Sequence, residues 1–386
     1  MAALFSREAL ESSSGGGQPG PIDYAIPAPL RAKAVSVIPQ WPGYHPTPLI
    51  SLPGMAKELG VGSILTKYEA GRFGLGSFKA LGGAFAVANA LEGVTPEAAR
   101  QTTVVTASDG NHGLSVAWGA RQHGCTCKIY LHEHVSEDRA ELIRQQGAEV
   151  VRIAGTYDDS THQALEDART HGWILLSDTA IAEDDEAPGA VMAGYTVMMQ
   201  EILADLDCCE TIPSHVFVQG GCGGLAAAVF GVLFEKWGNV PRYVMVEPDK
   251  ADCLFQSARA GRPVRIEGDL DTVMGGLSVG EVSLTAWETI VRTVGDFLTI
   301  PDAAAIQMMK ALGQGRFGDA PLLAGDAGVA GLAGLSVAAG DPRIRETLGL
   351  TAGSIVLTIV TEGAVDRSGY ARLTGLDPQH VAEARA

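Results

Sequence analysis

From about residue 60 onward, short apolar runs rich in β-branched residues alternate with longer stretches of helical periodicity. The runs 102–106, 128–131, 150–153, 173–176, 215–219, 243–246 and 355–360 predict strands. The stretches 113–123, 137–146, 162–170, 191–203 and 225–237 predict helices, the second of them closed by Gly147. Most of the strand runs are apolar throughout, as strands covered on both faces are. The alternation therefore predicts an α/β protein, with two parallel-type sheets wrapped by helices. In such folds ligands sit where the carboxyl ends of strands open into a crevice. The segments after residues 106, 219 and 360 are thus the places to look for chemistry.

Composition narrows the class. A chain of 386 residues, 46% hydrophobic and 19% charged, is globular and long enough for two lobes. A net charge of -17 with no basic stretch argues against nucleic acid and against anionic membrane surfaces. No apolar run is long enough to span a bilayer, and no basic segment followed by an apolar one opens the chain, so a membrane or secreted protein is not expected. The six cysteines, Cys125, Cys127, Cys208, Cys209, Cys222 and Cys253, match no zinc spacing. They predict a reduced, cytoplasmic protein with no metal site. Cys125-Thr126-Cys127 alternates on a predicted strand and reads as core filling.

Three segments carry candidate chemistry. Lys79 lies in Gly71-Arg72-Phe73-Gly74-Leu75-Gly76-Ser77-Phe78-Lys79-Ala80-Leu81-Gly82-Gly83, with glycines on both sides. A lysine that attacks the carbonyl of a bound cofactor needs a backbone fitted closely to that cofactor and a partly dry setting. A solvated lysine beside a flexible loop accounts for this one segment equally well. Gly220-Gly221-Cys222-Gly223-Gly224 follows a strand and opens a helix, where bare amides bind phosphate. A tight turn needs fewer glycines, so a phosphate cradle is the better reading. The spacing is not Gly-x-Gly-x-x-Gly and lacks a Gly-Lys-Ser/Thr ending, which disfavours dinucleotides and nucleoside triphosphates. Ser108-Asp109-Gly110-Asn111-His112-Gly113 follows another strand. A helix cap explains Asp109 or Asn111 singly but not both, and His112 reads as a packed, hydrogen-bonded ring rather than a base.

Ser-Phe-Lys79, Asp109-Gly-Asn111-His-Gly, the glycine loop and Thr361-Glu362-Gly363 occur in the order found in the tryptophan-synthase-β-like, fold type II pyridoxal-phosphate enzymes, which this chain resembles from about Thr47 to Gly363. Within that group it is similar to the 2,3-diaminopropionate ammonia-lyases. The lysine segment, Asp109 where serine and threonine dehydratases carry serine, Tyr157-Asp158-Asp159, Ser177-Asp178-Thr179-Ala180 and Val246 to Cys253 carry that likeness. Two stretches depart from it. Ile181 to Pro188 is acidic rather than aromatic and glycine-containing, and Asp326 replaces a common glutamate.

The resemblance implies a cofactor, pyridoxal 5'-phosphate, held between a large and a small domain. It implies a large domain of 21–89 plus 191–386 and a small one of 90–190, while the Ser- and Gly-rich composition of 1–20 predicts a flexible stretch. Lys79 would form the Schiff base, Gly220, Gly221, Cys222, Gly223 and Gly224 would hold the phosphate, Asn111 the ring hydroxyl and Thr361 the pyridine nitrogen. A hydroxyl partner at that nitrogen makes the ring a weaker electron sink than a carboxylate would, which suits prompt loss of a β-group. Lys79, Asp109 and Asp178 are the implied catalytic residues, the two aspartates matching a cationic β-substituent. The implied reaction is β-elimination of ammonia from 2,3-diaminopropionate by a homodimer. The rivals are a serine or threonine dehydratase or another lyase of the same fold, a non-catalytic binding protein on the same scaffold, and a nicotinamide oxidoreductase.

Overall fold

The strands of the computed structural model, which describes residues 2–7, 26–108, 110–155, 157–180 and 186–385, sort into two sheets. In chain order they are β1 (Ala3–Ser6), β2 (Leu49–Ser51), β3 (Ser63–Tyr68), β4 (Thr103–Ala107), β5 (Thr126–His132), β6 (Glu149–Ile153), β7 (Ile174–Leu175), β8 (His215–Gln219), β9 (Arg242–Pro248), β10 (Asp296–Ile300) and β11 (Ile355–Val360). Two compact units contain them. One comprises Met1–Ala25, Pro46–Gly71 and Met198–Ala386, the other Ile26–His45 and Arg72–Val197.

The larger unit holds a seven-stranded sheet in the order β1-β10-β9-β8-β11-β3-β2. The five inner strands are parallel, whereas β1 on β10 and β2 on β3 run antiparallel at the edges. The sheet is therefore mixed rather than purely parallel. Strands β8, β10 and nearly all of β9 and β11 are buried, matching their continuous apolar runs. The helix Ala330–Gly340 lies against this sheet, where Gly331 approaches the Phe217 backbone and Gly334 the Val246 side chain too closely to admit a Cβ. β1 corrects the expectation of a flexible leader at its first residues: Ala3 to Ser6 pair in register with Thr299 to Asp296. The Ser- and Gly-rich stretch 11–20 lies outside the described residues.

The smaller unit holds a fully parallel sheet, β6-β5-β4-β7. Its β4 ends at Ala107 and runs into the helix Asn111–His123. That helix packs closely on the helix Lys79–Ala90, because Gly119 meets the Ala84 backbone and Gly83 meets Ser115. Cys127 is buried on β5, as its alternation suggests, but Cys125 precedes the strand and is only half-buried. Among the described residues no helix is long and apolar enough to cross a membrane.

Candidate active site

Lys79 is the first residue of its helix, and its backbone N–H donates to Ser77 Oγ at 3.2 Å. The stretch before it is contorted: Phe73, Gly74 and Gly76 all have positive φ, at 52°, 71° and 81°. The glycines after it serve packing rather than a cofactor. A Cβ at Gly82 would lie 2.4 Å from the Tyr195 ring, and one at Gly83 would lie 2.6 Å from Ser115 Oγ. They let the lysine helix sit tight against its neighbours.

The lysine ammonium does not stand alone. Nζ lies 2.5 Å from Asp178 Oδ2, with 21% and 15% of the two side chains exposed. Asp178 follows β7 in a turn where Ser177 Oγ accepts from the Thr179 N–H at 3.1 Å. Burial pushes the Asp178 carboxyl up, but Lys79 first and His112 second outweigh it and hold it well below the usual carboxylate range. His112 sits 4.0 Å from the same oxygen through Nδ1. Its Nε2–H donates to the Leu176 carbonyl at 2.8 Å, and burial pulls the ring's pKa down. His112 is thus the packed, bonded ring that its sequence setting suggests.

Asn111 opens the helix Asn111–His123 behind Gly110, whose φ is 135°. At the start of this helix Ser108 Oγ accepts from Gly110 N at 2.9 Å and Gly113 N at 2.8 Å. Asp109 lies outside the described residues, and so does the acidic segment 181–185.

In the larger unit, Gly220 to Gly224 link β8 to the helix Gly224–Trp237. Gly221 and Gly223 have φ of 69° and 102°. A Cβ at Gly220 would meet Glu247 Cγ at 2.6 Å, and one at Gly223 would meet Ile290 Cδ1 at 2.6 Å. Only glycine fits, and what it presents is bare backbone at a helix N-terminus. Glu247 lies under this loop, 1% exposed, accepting from Leu254 N at 3.0 Å and Phe255 N at 2.7 Å. Burial pushes its carboxyl up to about 8, the two amide bonds offsetting only part of that.

Thr361 is buried just past β11, and its Oγ1 accepts from Gln219 Nε2 at 3.1 Å. The same amide group donates to the carbonyls of Ala327, Gly328 and Ile359. A threonine hydroxyl that accepts there keeps its own proton to donate. Gln219 and Glu247 are functional candidates that the sequence reading missed. Their only signal is a polar residue ending an otherwise apolar strand.

The two units offer groups that fit pyridoxal phosphate: a primary amine at a helix start in the smaller unit, and in the larger one bare glycine backbone at a helix N-terminus and a buried hydroxyl with a proton to give. Comparison with known proteins agrees. The family model described as pyridoxal-phosphate dependent enzyme matches residues 40–362. Diaminopropionate ammonia-lyase of Salmonella typhimurium strain LT2 is 36% identical over 347 residues, covering 83% of this chain and 86% of the relative. That of Escherichia coli strain K12 is 34% identical over 345 residues, covering 85% and 87%. The crystal structure of the Escherichia coli diaminopropionate ammonia lyase with an aminoacrylate-PLP azomethine reaction intermediate superposes with a TM-score of 0.88 at 31% identity, covering 97% of each chain. The chain belongs to the pyridoxal-phosphate dependent enzymes of fold type II, in the group that holds the diaminopropionate ammonia-lyases.

Proposed function

We propose that the chain is a carbon–nitrogen lyase acting on 2,3-diaminopropionate. Water and the diamino acid give pyruvate and two molecules of ammonia. The observation that carries the reading is the carboxylate of Asp178, held 2.5 Å from the amine of Lys79. A carboxylate kept ionised beside the reactive amine suits a substrate with a second ammonium group, whereas a β-hydroxyl offers it a hydrogen bond but no opposite charge.

Bound pyridoxal phosphate supplies the carbonyl that captures the substrate amine and the conjugated ring that accepts the electron pair released at Cα. The chain's own residues do the rest. Gly220 to Gly224 would hold the phosphate by backbone N–H groups, and Asn111 would donate to the ring hydroxyl. Thr361, whose Oγ1 accepts from Gln219, would donate a hydrogen bond to the ring nitrogen. Lys79, as a free amine, would take the α-proton from one face, and Asp109 would serve the other face. Asp178 attracts the departing β-ammonium. A larger domain of 21–89 plus 191–386, a smaller one of 90–190, a homodimer and a cytoplasmic setting belong to the same reading.

Release of ammonia and pyruvate across L- and D-diaminopropionate, serine, threonine and other β-substituted alanines is the deciding assay. Diaminopropionate should exceed serine in kcat/KM by about a hundredfold or more. Serine or threonine turned over best would instead make the chain a dehydratase. Asp109→Asn should impair the D-enantiomer selectively, and equal loss on both enantiomers would reduce Asp109 to a binding role.

A further inference from the structure

Phe73 has φ 52° and ψ 15°, a left-handed conformation that bulky side chains avoid. Glycine adopts it freely and stands at the next positive-φ positions, 74 and 76. A phenylalanine kept there must gain more from its ring than it loses in its backbone. The ring is caged. Its centroid lies 4.8 Å from that of Trp118, 6.0 Å from Trp41 and 6.1 Å from Tyr44, while Trp41 meets Trp118 edge-on at 5.7 Å. Such separations are those of favourable aromatic pairs. Next to it, Arg72 is 1% exposed, donates to the His45 carbonyl at 3.2 Å and lies 5.9 Å from the centre of the Tyr44 ring.

The anchored residues and the reactive lysine are separated by a short, glycine-rich stretch. Trp118 belongs to the helix that Asn111 opens, and Trp41 and Tyr44 belong to the segment after the helix Ala28–Val37. The ring therefore ties the path into Lys79 to two other parts of the smaller unit. With Gly74 and Gly76 unable to stiffen that path themselves, the cage fixes where the lysine helix begins.

We propose that Phe73 is a positioning residue for Lys79, its caged ring holding the strained backbone that sets the amine against Asp178. The proposal rests on reading Lys79 as the point where the cofactor attaches. A different residue at 73 alters the lysine's place without touching substrate or cofactor.

The test uses the full chain, with and without pyridoxal phosphate. Phe73→Gly keeps the left-handed backbone accessible but removes the ring, and Phe73→Tyr keeps the ring. In the cofactor-free chain, the rate at which an acylating reagent modifies Lys79 at pH 8 should rise about threefold or more in Phe73→Gly as the amine leaves Asp178. Cofactor affinity should weaken about tenfold, and kcat should fall about 10- to 100-fold with KM little changed. Phe73→Tyr should restore all three values. Should Phe73→Gly fail to fold, Trp41→Ala, which opens one side of the cage, should move acylation and affinity in the same directions by less. Wild-type acylation and affinity in a folded variant overturn the proposal. So does a loss that Phe73→Tyr does not restore, or one accounted for by a lower Tm of the cofactor-free chain. Failure of the Lys79 reading looks different: the wild-type holoenzyme itself would then give no borohydride-stable adduct at Lys79.

Discussion

The lysine region of the smaller unit and the glycine loop of the larger one are built by opposite means. Around Lys79 the working groups are charged side chains, aimed by a contorted backbone and a cage of aromatic rings. Around Gly220 to Gly224 the working groups are the backbone itself, and the side chains of Glu247 and Ile290 occupy the space that a Cβ would need. The first depends on charge placed by packed rings and a strained backbone. The second depends on bare backbone, with no room for an added methyl group at Gly220 or Gly223.

The sharpest test of that contrast is Lys79→Ala. Turnover should fall by about a thousandfold or more, and borohydride should fix no cofactor to the chain, as read by mass spectrometry. Residual turnover near the wild-type rate would remove the lysine from the chemistry. Next comes Gly223→Ala, which combines φ of 102° with a 2.6 Å approach to Ile290 Cδ1. Cofactor affinity should weaken by about ten- to a hundredfold while the chain stays folded, measured by titrating visible absorbance. Unchanged affinity would show that the loop accommodates a side chain and is no tight cradle.

Asp178→Asn keeps shape and removes charge. Its kcat on diaminopropionate should drop about a hundredfold, with a smaller drop on serine, because only the diamino acid offers a β-ammonium. Equal losses on the two substrates would confine Asp178 to holding the lysine.

The smallest expected effects are those of pH on stability. His112 and His215 are buried with lowered pKa values, so the unfolded chain binds protons that the folded one refuses. Their contribution is fully present above about pH 6.5 and is lost as pH falls below it. Glu247 has the opposite sign. Raised to about 8 from 4.5, it contributes most below pH 4.5, and that contribution is lost as pH rises through 8. Urea midpoints of the wild type should therefore decline between pH 6.5 and 9. The decline should be shallower in Glu247→Gln, and an identical slope would show that Glu247 ionises in the folded chain as it does in the unfolded one.

Strands covered on both faces announce themselves, and β8 and β11 fall where their apolar runs predict. β2 is three residues long, too short to show a period, and β1 is a short apolar run that only its pairing with β10 identifies as a strand. β10 reads as Asp-Phe-Leu-Thr-Ile, and its strand character comes from burial between β1 and β9 rather than from its pattern. The glycines after Lys79 misled for a related reason. Their neighbours Tyr195 and Ser115 are far away in sequence, so a packing glycine and a cofactor glycine look alike along the chain.

The sequence by itself determined the alternation of strand and helix, the lysine, the glycine loop and the order of motifs that marks the family. These are local properties: periodicity, backbone freedom and residue type. The tertiary structure alone decided that Asp178 meets the Lys79 amine, that Gln219 meets the Thr361 hydroxyl, and that Phe73 is held in a strained conformation by three rings. Each depends on groups brought together across long stretches of chain. Charge attraction, hydrogen bonding and ring packing act over a few ångströms of space, whatever the separation in sequence.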